Sequence, residues 1–177
     1  MAGAAGGGPA RTISIVVGVT LVGLIALLAF SGGDDADELT ALLGRRTPAV
    51  AGTTLGGESY DIDDHRGSWV LVNFFATWCP GCVNEHPELV ELERWGAETG
   101  NLALVSVVFN DPVDRVDEFF AQRGGTWPVL NSPSVPVEFQ VAQIPETFLV
   151  SPSGQVVLHV EGEVKAQELI RFIEGSS

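Results

Sequence analysis

The stretch WVLVNFF, Trp69–Phe75, is apolar at six of its seven positions and leads, after Ala76-Thr77-Trp78, into two cysteines three positions apart, Cys79 and Cys82. A continuous run of β-branched, aromatic and aliphatic residues reads as a strand buried on both faces, and so as a central strand of a sheet. The residues after the cysteines, VNEHPELVELERWGAETG, read as a helix. Val83, Leu89, Val90, Leu92 and Trp95 give it an apolar side and Gly100 a stop. Pro80 suits the first helical turn, where its missing N–H costs nothing. Cys79 therefore falls at a helix N-terminus, where unpaired N–H groups and the helix dipole favour a thiolate. A bridge between Cys79 and Cys82 closes too small a loop to act as a staple. The pair suits reversible exchange instead: one sulfur attacks a partner disulfide and the second releases the partner. Cys79 is expected to be the exposed nucleophile and Cys82, one turn in, the resolving thiol.

The formal net charge of −14 gives a surface that repels phosphate backbones, so nucleic acid is excluded as a partner. Residues 1–11 form a small, weakly positive tail. Thr12–Phe30 contains no charge and, as a helix, is about 28 Å long, close to one bilayer core. The acidic SGGDDADE follows. Positive before and negative after places the N-terminus inside and the remainder outside. A cleaved signal peptide is disfavoured, since its apolar region is usually shorter and only Ala29-Phe30-Ser31 loosely fits a cleavage site. The organisation expected is a cytoplasmic tail (1–11), a transmembrane signal anchor (12–30), a linker (31–43) and one domain (44–177). That domain would sit on the outer face of the cell membrane.

Signals along the domain alternate between strand and helix. RTPAVAGTTLGGESYDIDDHRG reads as an N-terminal hairpin and NLALVSVVF as a second buried strand. Asp111-Pro112 is expected to cap a helix running to about Gln122 and ended by Gly124-Gly125. TWPVLN is short and extended, with a turn or short helix near 133–141. ETFLVS and QVVLHVEG form a hairpin around PSG. KAQELIRFIEG closes the chain with Leu169, Ile170, Phe172 and Ile173 toward the sheet. The expected class is a three-layer α/β/α domain with a mixed central sheet.

With NFFATWCPGCVNEHP at 73–87 and QIPETFLVSPSGQVV at 143–157, the chain resembles thioredoxin-like proteins. The resemblance is to the membrane-anchored, extracytoplasmic branch serving cytochrome c maturation, the CcmG/DsbE type, with the related ResA/TlpA type beside it. It covers about residues 44 to 174. It implies that Pro145 follows a cis bond and sits against the cysteines, and that Ile144 pairs with an incoming peptide as an added strand. Asn73 stands where ordinary thioredoxins carry a buried aspartate. On the sequence alone Glu85 is equally a solvated first-turn carboxylate. The resemblance implies that it accepts the proton of Cys82. Glu146 is expected to form an acidic lip that selects partners. Trp78 is expected to cap the core and, half-exposed, to serve as a docking surface. Trp78, Pro80, Ile144 and Glu146 thus form the expected client contact, and Cys79, Cys82, Glu85 and Pro145 the catalytic set. The implied activity is a thiol:disulfide oxidoreductase that reduces apocytochrome c or an assembly partner. A membrane electron donor re-reduces it, and it carries no cofactor beyond the Cys79–Cys82 disulfide.

A competing class is a copper-binding module using Cys79, Cys82 and His86, since soft thiolates select Cu(I). A closed zinc site wants four ligands, and no second ligand pair exists. His65 and His159 read as loop and strand-surface residues. The threonine and proline pattern of a peroxiredoxin does not precede the cysteines.

Overall fold

The structure is a computed structural model, and it describes residues 18–26 and 42–176. The chain divides into two units at Ala41/Leu42. In the first, residues 18–26 are helical, with exposed side chains. The expected anchor of residues 12–30 lies largely outside the described residues, as do the tail and linker. No described helix is long and apolar enough to cross a membrane.

The second unit is built on a five-stranded sheet whose strands, in order across it, are β5 (Val129–Leu130), β4 (Leu102–Val108), β3 (Trp69–Phe75), β6 (Glu146–Val150) and β7 (Val156–Glu161). β3 is central and pairs parallel with β4, which pairs parallel with β5. On the other side β6 runs antiparallel to β3, and β7 antiparallel to β6. All seven residues of β3 are buried, as a strand covered on both faces requires. A separate two-stranded hairpin, β1 (Ala51–Thr53) with β2 (Ser59–Asp61), precedes the sheet.

The two faces are covered unequally. Trp69, Leu71 and Phe75 point toward the three long helices, α1 (Pro80–Thr99), α2 (Val113–Arg123) and α4 (Ala166–Gly175), through Leu89, Leu92, Phe119 and Ile173. Val70, Val72 and Phe74 point the other way, toward Val50, Tyr60, Ile62 and Val135. That second layer consists of the N-terminal hairpin, a 3-10 turn (Ile62–His65) and the five-residue α3 (Ser134–Glu138). It is helical only in part, unlike the α/β/α expectation. Fully buried aromatic triads such as Phe74, Phe139 and Phe148, with centroids 4.9–5.8 Å apart, consolidate it.

The N-terminal stretch also meets both outer strands. Gly44 N donates to Val156 O and Val156 N to Arg45 O at β7. Leu55 N donates to Val129 O, and Thr54 bridges Leu130, at β5.

Three details differ from the sequence reading. The buried side of α1 is Cys82, Glu85, His86, Leu89, Leu92 and Gly96, with Val83, Val90 and Trp95 only half-buried. The spacing is helical, but two polar residues occupy the inner face. Asp111 does not cap α2, whose N-cap is Pro112, with no side-chain cap bond. The Asp111 carboxylate instead accepts from Thr77 N, ahead of the cysteines. Phe172 is exposed, with its ring edge-on to Trp69 at 6.4 Å.

Candidate active site

Cys79 is the N-cap of α1 and Pro80 its first residue. Cys79 and Cys82 form a disulfide with Cα atoms 5.3 Å apart, and Cys82 N donates to Cys79 Sγ at 3.1 Å. A helix N-terminus thus presents an N–H to the outer sulfur, the placement that favours a thiolate there. Cys79 is less open than expected: 3% exposed, against 0% for Cys82. In the closed disulfide both sulfurs lie within the apolar layer between sheet and helices. Cys79 remains the outer of the two.

The rim comes from two loops. Trp78 is 53% exposed, and its Nε1 donates to Asn110 O at 3.2 Å, so the ring is held while its face stays open. Across the cysteines the Ile144–Pro145 bond is cis, Pro145 is buried and Ile144 half-buried. A Cβ on Gly81 would lie 3.0 Å from Pro145 Cδ, so the glycine between the cysteines is what lets Pro145 approach this closely. Pro80 is exposed beside them.

Glu85 lies one turn beyond Cys82 on the inner face of α1 and is completely buried. Asn73 Nδ2 donates to its Oε1 at 2.8 Å, and Val164 N to its Oε2 at 3.0 Å. Its carboxyl is raised to about 7, chiefly by burial, with a smaller push in the same direction from Glu163. The bonds from Val164 and Asn73, and Lys165, act against that rise. Glu85 is therefore poised to exchange a proton near neutrality.

Asn73 is fixed by register. On the helix-side face of the sheet it stands opposite Ser106 of β4 and Thr147 of β6, all three buried. Asn73 Nδ2 also donates to Thr147 Oγ1 at 3.1 Å, Ser106 Oγ donates to Asn73 Oδ1 at 3.3 Å, and Trp127 Nε1 donates to Ser106 Oγ at 2.9 Å. The sequence reading passed over Ser106, Thr147 and Trp127. The available signal was a single polar residue in each of two otherwise apolar strands, WVLVNFF and LALVSVV, and a threonine beside the glutamate of ETFLV.

Glu146 is not an acidic lip. It is 3% exposed, its Oε2 lies 3.0 Å from His159 Nε2, and its Oε1 accepts from Gln143 N at 3.3 Å. His159 is not a surface residue either: its ring stacks on Phe148 at 4.1 Å with the planes 6° apart. The buried pair braces the segment leading into Pro145. His65 ends the 3-10 turn against Tyr60, with ring centroids 5.3 Å apart.

His86 does not join the cysteines in a ligand set. Its Nε2 donates to Gly124 O at 2.9 Å, and its ring lies among Phe119, Phe120 and Trp127. Burial pushes its pKa down. Among the described residues, no three His, Cys, Asp or Glu side chains group as a metal site.

A C-x-x-C pair capping the helix after the central strand of a mixed sheet defines a thioredoxin-like thiol:disulfide oxidoreductase. The comparisons with known proteins agree. A family profile described as Redoxin matches residues 42–169. The thiol:disulfide interchange protein HelX of Rhodobacter capsulatus is 32% identical over 140 residues, covering 76% of this chain and 77% of its own. The thiol-disulfide oxidoreductase ResA of Geobacillus kaustophilus is 29% identical, covering 77% and 80%. Among solved structures, a thiol:disulfide interchange protein of the thioredoxin family from Chlorobium tepidum superposes with a TM-score of 0.68. It has 26% identity and covers 73% of this chain and 94% of that one. The chain belongs to the Redoxin family, as a thioredoxin-like protein of the CcmG/DsbE/ResA type.

Proposed function

We propose that this oxidoreductase is held at the outer face of the cell membrane by its N-terminal segment and works there as a reductant. Its client is apocytochrome c, or a partner protein that assembles it, and a membrane electron donor keeps it reduced. The observation that carries the reading is the Cys79–Cys82 couple at the start of α1, with a buried carboxylate one turn deeper. The uncharged run of residues 12–30 supports the anchoring.

In the reduced protein Cys79, as thiolate, attacks one sulfur of the client disulfide and expels the other as a client thiolate. Glu85 takes the proton from Cys82 Sγ. The Cys82 thiolate attacks Cys79 Sγ, releases the second client thiolate and leaves the disulfide of the structure. Two electrons have passed to the client, and two electrons and two protons from the donor restore the dithiol. Trp78, Pro80, Ile144 and Pro145 form the surface against which the client lies. Glu146, with His159, holds the Gln143–Pro145 segment in place from beneath.

The test is a pair of serine variants. Cys79→Ser is expected to abolish reduction of insulin disulfides, and Cys82→Ser to accumulate a mixed disulfide with the client, visible as an added mass that reductant removes. Normal turnover by Cys82→Ser overturns the two-thiol mechanism.

A further inference from the structure

The hydrogen bonds that reach Glu85 from the sheet have a direction, and it is set at their far end. An indole N–H can only donate. Trp127 Nε1 therefore makes Ser106 Oγ an acceptor at 2.9 Å, leaving the Ser106 hydroxyl hydrogen for Asn73 Oδ1 at 3.3 Å. With its oxygen engaged there, the Asn73 amide turns its NH2 the other way. One hydrogen goes to Thr147 Oγ1 at 3.1 Å and one to Glu85 Oε1 at 2.8 Å. We propose that Ser106 and Trp127 are positioning residues of the exchange reaction, which fix the Asn73 amide so that only its NH2 faces Glu85. The inference rests on the reading of Glu85 as the proton acceptor for Cys82.

The alternative orientation shows what the chain prevents. Were the Asn73 amide reversed, its oxygen would lie against Glu85 Oε1. Two acceptors at that separation repel unless the carboxyl carries a proton between them. A reversed amide would hold Glu85 protonated and unable to receive the hydrogen of Cys82. It would also leave the Ser106 hydroxyl hydrogen without an acceptor in a buried site, since Ser106 is 1% exposed. The register places Ser106, Asn73 and Thr147 in one row, so the direction passes from β4 to β3 through side chains in direct hydrogen-bond contact. Ser106 and Trp127 act through Asn73. The charged groups bearing on Glu85 from elsewhere are Glu163 and Lys165, in the loop after β7, and Lys165 Nζ is held by Glu88 at 3.4 Å. Variants in β4 leave these groups in place.

The test titrates the Glu85 carboxyl carbon by NMR in the full-length protein, oxidised, labelled at glutamate and assigned with Glu85→Gln. Ser106→Ala is expected to raise the midpoint by about one pH unit, a tenfold gain in proton affinity. Trp127→Phe is expected to raise it by less, because the Ser106 hydroxyl still finds Asn73. Ser106→Thr, which keeps the hydroxyl, is expected to restore the original midpoint. An unchanged midpoint in Ser106→Ala, or a shift in Ser106→Thr as large as in Ser106→Ala, overturns the proposal. Ser106→Ala removes a single oxygen, so the test does not depend on the bulkier change at Trp127. A second readout, the pH dependence with which Cys82 resolves the mixed disulfide, separates the two readings. If the carboxyl midpoint moves as expected while the resolution profile stays put, the positioning chain stands and the role of Glu85 toward Cys82 falls.

Discussion

At the scale of single residues, Glu85 combines two demands that usually conflict. Complete burial disfavours its charge, while two N–H donors favour it. The balance leaves the carboxyl near 7, above its usual 4.5. A carboxyl that binds its proton more tightly folded than unfolded stabilises the fold fully below its unfolded value. That contribution is lost as pH rises toward about 7. The span amounts to about 3 kcal/mol. Glu85→Gln is therefore expected to gain stability relative to the parent as pH goes from 5 to 8, read as a widening difference in melting temperature. A difference that stays flat across that range contradicts the burial effect. The cysteines and the spacing of Glu85 were legible in the sequence because they lie within two turns of one helix. The fate of Glu146 was not. Beside a proline it has the look of a rim residue, and only the β6–β7 register brings His159 within reach of it. Ser106 and Thr147 were hidden for the same reason, since strand pairing joins residues far apart in the chain, and Trp127 reaches Ser106 from the loop before β5.

At the scale of elements, α1 shows how a helix places its first residue. Its cap geometry is local and was readable: Cys79 before Pro80 at the start, Gly100 in the left-handed region at the end, φ 70°. Its inner face is less legible, because the apolar side formed by Val83, Leu89, Val90, Leu92 and Trp95 leaves out the polar Glu85 and His86, which are buried. The seat of the helix on the sheet depends on Gly96, where a Cβ would run into the carbonyl oxygen of Leu102 at the start of β4. Gly96→Ala must push the helix off the sheet. It is expected to cost about 2 kcal/mol and lower the melting temperature by roughly 5 °C. A variant that melts with the parent would mean that helix and strand part more easily than this contact implies. The covering of the second sheet face escaped the sequence because strand and helix signals count elements without assigning them to faces. Alternation along β3 demanded a cover on each side but left its form open.

At the scale of the whole molecule, the net charge of −14 acts on every encounter. Charge of one sign speeds association with partners of the other and slows it with partners of the same sign, and salt removes both effects. The rate of reduction per unit enzyme and substrate is expected to fall several-fold for a lysine-rich disulfide peptide between low salt and about 0.5 M, and to rise or hold for an acidic peptide of equal length. Identical salt responses would mean that clients meet a surface whose local charge differs from the total.

The N-terminal stretch that touches β7 through Gly44 and Arg45 and then β5 through Thr54 and Leu55 has a consequence for how molecules of this protein tolerate crowding. Open borders of a sheet are templates on which sister chains stack into fibres. Here a single piece of chain covers the start of β7 and lies along β5. A cut between that piece and the rest would free backbone groups on both borders for pairing with copies of the chain.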